Sequence, residues 1–135
     1  MAIPEKARAM MEERRTIGFA TCTKDGVPNA VPMLQYWWFA EDTLVVGDMF
    51  MKATRENVEK NGVVSFCVWD EEKREAYKFR ASAAYETSGP AYDMANENLH
   101  KKKPDKNFKG VVTVKITEVY DAAPGENAGK LIAKA

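Results

Sequence analysis

From Glu75 to Thr87 the chain alternates, with Tyr77, Phe79, Ala81, Ala83 and Tyr85 on one parity and Lys78, Arg80 and Ser82 on the other. A period of two suits a strand with one face in a core and one in water, and does not suit a helix. Lys109–Tyr120 repeats the pattern, setting Val112, Val114 and Ile116 against Thr113, Lys115 and Thr117. Two long half-exposed strands commit the chain to an antiparallel sheet.

The remaining segments agree with that commitment. Thr16–Thr23 and Val27–Gln35 read as strands joined at Asp25-Gly26, a strong hairpin signal. Pro28 and Pro32 put the second of these on an edge or at an irregularity, because proline cannot donate to a ladder. An edge guarded against aggregation explains them. So does a strand whose backbone around Met33–Gln35 is left free for a ligand. Tyr36–Phe39 and Leu44–Val46 form a further hairpin, and Val63–Trp69 is a nearly continuous apolar strand. Four successive aromatics cannot all face one core, and a dimer interface is the simplest destination for those that do not.

Helices are expected over residues 3–15, where Ile3, Ala7, Met10 and Met11 form a stripe, from near Lys52, and over Ala91–Leu99. His100–Lys109 reads as a loop, and the Gly- and Ala-rich tail over residues 124–135 is expected to be poorly ordered. No unit repeats and no βαβ alternation occurs, so a small β-barrel with peripheral helices is the architecture indicated.

At 135 residues a single domain over 1–135 is expected. Twenty basic residues balance twenty acidic ones, so no overall field favours nucleic acid or an anionic membrane. No apolar run approaches the ~20 residues that span a bilayer, and Glu5, Glu12 and Glu13 do not suit a signal peptide. Cys22 and Cys67 lie in apolar runs and read as reduced core residues of a cytoplasmic protein.

Chemistry must come from elsewhere than a catalytic triad or a metal. The single histidine, His100, sits in a lysine-rich loop, a poor place to hold a base. The two cysteines lack metal-ligand spacing. Glycine-rich phosphate loops are missing. No side chain is nominated as catalytic, and a bound cofactor is the expected agent.

The segment Gly47–Asp70 offers a place for one. A helix beginning near Lys52 exposes unpaired N–H groups and partial positive charge at its start. With Lys52 and the Thr54 hydroxyl in that first turn, a phosphate is the natural guest. The competing reading is that Thr54 merely caps the helix. Residues three apart share a face, which sets Thr54 and Asn57 on one side and Met51, Arg55 and Val58 on another, towards a core.

The succession FATCTKDGVPNAVPML, LVVGDMFMKATRENVEKNGVVSF, YKFRASAAYETSGPAY and FKGVVTVKITEV resembles the pyridoxamine 5′-phosphate oxidase-like FMN-binding split barrels, in particular the short flavoredoxin-like and FMN-binding-protein members. The resemblance implies a mainly β fold, a six-stranded antiparallel split β-barrel with short peripheral helices. It also implies a homodimer with FMN at the subunit interface, acting as an oxidoreductase or electron carrier.

By similarity, Pro32, Met33, Leu34 and Gln35 run along the isoalloxazine, and Gly47, Asp48 and Met49 meet the ring or ribityl chain. Lys52, Ala53 and Thr54 hold the phosphate with Asn57 nearby. Phe108 falls where relatives often bring an aromatic from the second subunit, and Trp69 is a weaker candidate for that surface. Relatives usually place lysine directly before the threonine; here Ala53 stands there. A split barrel using deazaflavin or haem, or a non-enzymatic ligand-binding dimer, are the alternatives.

Overall fold

The computed structural model describes residues 1–135. In chain order its elements are α1 (Glu5–Arg14), β1 (Ile17–Cys22), β2 (Pro28–Met33), β3 (Tyr36–Ala40), β4 (Thr43–Asp48), α2 (Ala53–Lys60), β5 (Val63–Asp70), β6 (Glu75–Glu86), α3 (Pro90–His100), β7 (Gly110–Asp121) and β8 (Leu131–Lys134). The strands form one antiparallel sheet in the order β2-β1-β5-β6-β7-β4-β3, with β8 added beside β7.

The expected alternation is seen in β6, where Tyr77, Phe79 and Ala81 are buried while Arg80 and Ser82 are exposed. The sheet has eight strands rather than six, and its barrel is not closed. β4 covers one edge of β7 only from Gly110 to Lys115. The ladder edge at Glu118–Tyr120 is taken up by β8, so the tail expected to be poorly ordered contributes a strand. Side-chain pattern gave no sign of it, because backbone bonds hold β8 while Leu131 and Ile132 stay exposed.

The barrel is open because its two end strands, β2 and β3, are not paired with each other. They follow one another in the chain through only Leu34 and Gln35. The ends of the sheet therefore come together at this dipeptide without a ladder between them. β2 is an edge strand, bonded only to β1 with Pro32 opposite Gly18, which accommodates both prolines.

The main core fills the inside of the curled sheet. Phe66 and Phe79 lie face to face at its centre, ring centroids 4.5 Å apart, and burial of each such side chain is worth roughly 1.5–3 kcal/mol. α1 closes one side through Ala7, Met10 and Met11, with Ile3 just before it, all buried as the stripe requires. The buried Tyr36 hydroxyl ties α1 to β3 by donating to the Met11 carbonyl at 2.6 Å. A second, smaller cluster lies where α3 packs on the opposite face of β4 and β7, through Val45, Ala91, Ala95, Leu99, Phe108 and Val111. β4 is thus covered on both faces, which accounts for its unbroken apolar run.

The aromatic run divides as the pleat demands. Tyr36 and Trp38 pack with the main core, Trp37 turns to the second cluster, and Phe39 is exposed. No helix is long and apolar enough to cross a membrane.

Candidate functional site

Beside the unpaired junction of β2 and β3 lies a cavity of about 430 Å³. Its one wall is the inner parity of β2, Asn29, Val31 and Met33, continued by Leu34 and Gln35. The other is the turn from Gly47 to the start of α2. Of the twelve residues expected at a cofactor site, Pro32, Met33, Leu34, Gln35, Gly47, Met49, Lys52, Ala53 and Thr54 line this cavity.

Asp48, Asn57 and Phe108 do not. Asp48 is fully buried and acts on the turn from behind. Its Oδ1 accepts from the Met51 N–H at 2.8 Å, its Oδ2 from the Tyr85 hydroxyl at 2.5 Å, and its carbonyl from the Lys109 N–H at 2.9 Å. Asn57 is buried with its Nδ2 donating to Thr21 Oγ1 at 2.9 Å, so it anchors α2 to β1. Phe108 is 2% exposed within the second cluster, its ring packed beneath Gly47 and against Trp37. Trp69 stands on the sheet's outer face, away from the cavity lining.

The turn between β4 and α2 is fixed from several directions. Gly47 donates its N–H to the Gln35 carbonyl at 2.9 Å, joining the two walls. Burial, followed by the hydrogen bond to Asp48, pushes the Tyr85 hydroxyl above its ordinary titration range, while Arg55 works weakly against this. The Arg55 guanidinium lies over the Tyr85 ring at 4.3 Å. Arg55 was expected to point to the core with Met51 and Val58; it instead covers the ring from outside, because the buried face of α2 is Thr54, Asn57 and Val58.

α2 begins without a side-chain cap. Thr54 is its second residue, and its hydroxyl accepts from Asn29 Nδ2 at 3.3 Å rather than capping the helix. A hydroxyl that accepts still has its proton to donate. That proton, the first-turn N–H groups and Lys52, which joins no ion pair, form a cationic donor set in the lining of a mostly apolar cavity.

Asn29, Val31, Phe50 and Met51 also line the cavity and were not singled out from sequence. Asn29 and Val31 carried a usable signal, since they share parity with Met33 along β2. Phe50 carried none, as three successive apolar residues in a turn, Met49 to Met51, have no periodicity to say which of them faces a cavity.

His100 lies apart in the loop after α3, where its Nε2 meets the Lys106 carbonyl at 2.8 Å and Asn107 Oδ1 at 2.9 Å. Both partners are acceptors, which makes this nitrogen the N–H donor.

Comparison with known proteins agrees with this architecture. An uncharacterized protein of Methanocaldococcus jannaschii is 35% identical over 124 residues, 90% of this chain and 83% of that one. Among solved structures, HupZ of Group A Streptococcus superposes with a TM-score of 0.82 at 23% identity, covering 94% of this chain and 99% of that one. An FMN-binding protein from Syntrophomonas wolfei gives 0.76 at 18% identity, covering 90% and 87%. The same fold occurs in an F420 reductase and in the heme storage protein HutZ of Vibrio cholerae, with TM-scores of 0.67 and 0.69. At such identities these structures share the fold alone. The family model for pyridoxamine 5′-phosphate oxidase matches residues 3–123, and the chain belongs to that family.

Proposed function

We propose that this protein binds FMN in the cavity between β2 and the start of α2, and serves as a flavin-dependent oxidoreductase or electron carrier. The observation that carries the reading is the make-up of that cavity's lining, which joins the Lys52–Thr54 donor set to an apolar group that includes Val31, Met33, Leu34 and Met49. A flat ring with a phosphate on a short tether matches such a cavity in both size and charge. FMN would supply hydride or single-electron chemistry when bound. Lys52, the Thr54 hydroxyl and the first-turn N–H groups would hold its phosphate, and Met33, Leu34 and Met49 would exclude water from its ring.

A homodimer is part of the proposal. Phe50 is 84% exposed and Leu34 57% exposed, and both sit on the cavity. A second copy covering this side of the cavity would take both side chains out of water. FMN binding by a protein of the same fold supports the reading. Haem fits less well, because His100 Nε2 is spent on two acceptors and lies outside the cavity lining.

Absorption spectra of the purified protein titrated with FMN, with F420 and haem in parallel, test the proposal. Shifted flavin bands at saturating FMN and a two-copy mass under native conditions are expected. A single-copy particle indifferent to FMN would refute it.

A further inference from the structure

A second cavity, of about 390 Å³, opens on the other side of the Leu34–Gln35 junction. Its lining includes Arg15 from the end of α1, Trp37 from β3, and Lys101, Lys102 and Lys103 directly after α3. None of the residues lining it is acidic, and none of these four cations takes part in an ion pair. Net charge is zero over the whole chain, so this concentration of positive charge does not follow from composition.

Arg15 is held in place rather than free to drift. It ends α1 in the left-handed conformation, at φ 56°. Its guanidinium donates to the Tyr36 carbonyl at 2.6 Å and lies over the Tyr36 ring at 4.4 Å. Only Nη2 is engaged, with the Tyr36 and Leu34 carbonyls, which leaves further N–H donors of the fork. The lysine run is a charged surface loop by sequence. The fold turns it into one wall of a cavity whose other wall is a fixed arginine and an indole.

We infer that this second cavity binds the phosphates of a phosphate-bearing cosubstrate, of the dinucleotide class, whose remaining end reaches across Leu34 and Gln35 to the first cavity. Like charges gathered around one space repel, and a polyanion between them offsets that repulsion. Arginine beside several lysines suits phosphate groups. Leu34 and Gln35 line both cavities, so a ligand held in the second is adjacent to whatever fills the first. That adjacency gives the second cavity a role in redox chemistry only if the FMN reading holds; the anion site itself does not depend on it.

The test is calorimetric titration of the full chain with inorganic pyrophosphate and with NADPH, each with and without saturating FMN. The triple variant Lys101→Gln, Lys102→Gln, Lys103→Gln changes only exposed side chains and is expected to weaken both probes about tenfold or more. Thr54→Val is expected to weaken FMN while leaving pyrophosphate binding measured at saturating FMN unchanged. NADPH is expected to compete with pyrophosphate. With FMN saturating the first cavity, pyrophosphate affinity that survives the triple variant, or is abolished by Thr54→Val instead, overturns the inference. So does lysine-dependent pyrophosphate binding with which NADPH does not compete. If FMN fails to bind while pyrophosphate still depends on the lysines, the FMN proposal falls and the anion site stands.

Discussion

The Tyr85 hydroxyl donates to Asp48 Oδ2 at 2.5 Å, linking the C-terminal end of β6 to the last residue of β4. Asp48 is fully buried, and its other oxygen holds the Met51 N–H. One carboxylate therefore fixes the turn that forms a wall of the first cavity. Tyr85→Phe removes a donor to a buried charged group and should destabilise the protein by roughly 1.5–3 kcal/mol. The loss would be read as a lower urea midpoint at unchanged slope. FMN affinity should fall with it, because the turn loses its support. An unchanged midpoint would mean that water replaces the hydroxyl at no net loss.

Gly47 and Phe108 form a second such pair. A Cβ on Gly47 would come within 2.4 Å of the Phe108 ring, which is enclosed by the second cluster and cannot swing aside. Gly47→Ala should destabilise by about 1–3 kcal/mol, the range for overpacking a filled core. Combining it with Phe108→Leu should recover part of that loss, since the clash is with the ring itself. Strictly additive single-variant effects in thermal or urea unfolding would disprove the contact.

These two pairs also show where sequence reading ends. The parity of Tyr77, Phe79 and Ala81 could be read directly, since it follows from the pleat of one strand. So could the stripe from Ile3 to Met11. What could not be read is which side of an element another element covers. Phe108 follows a lysine-rich loop and looks available, yet α3 folds over it. Asn57 shares a helix face with Thr54 as expected, but that face also meets β1, and Thr21 takes its amide. The strand β8 was hidden for a different reason, because it completes a ladder without burying a stripe.

Burial raises the pKa of Tyr36 to about 12, with Arg15 pulling the other way, against an ordinary value near 10. The folded state holds this proton more tightly than the unfolded state. Its contribution is fully present below about pH 10 and is lost as pH rises towards 12. The total is of order 2–3 kcal/mol. Tyr85 and Tyr77 shift in the same direction, chiefly through burial, and add to the slope. Unfolding free energies measured across that window should fall more steeply for the natural chain than for Tyr36→Phe. Parallel pH profiles would show that Tyr36 ionises as freely folded as unfolded.

Thr54 and Lys52 divide the phosphate end of the first cavity between a fixed group and a mobile one. Thr54 is 3% exposed, its oxygen already accepts from Asn29, its proton is left to donate, and the residue lines the cavity. Thr54→Val keeps the shape and removes that proton, and FMN should bind about 1.5–3 kcal/mol more weakly. Lys52 is exposed and precedes the helix with non-helical backbone angles, φ −128° and ψ −84°. Its ammonium ends a long flexible stem, so its contribution should be smaller and screened by salt. Lys52→Ala should therefore weaken FMN less than Thr54→Val does, and the gap between the two variants should widen as ionic strength rises. A larger loss for Lys52→Ala that persists at high salt would mean that the lysine, one residue early for its threonine, closes onto the phosphate as a direct and desolvated partner.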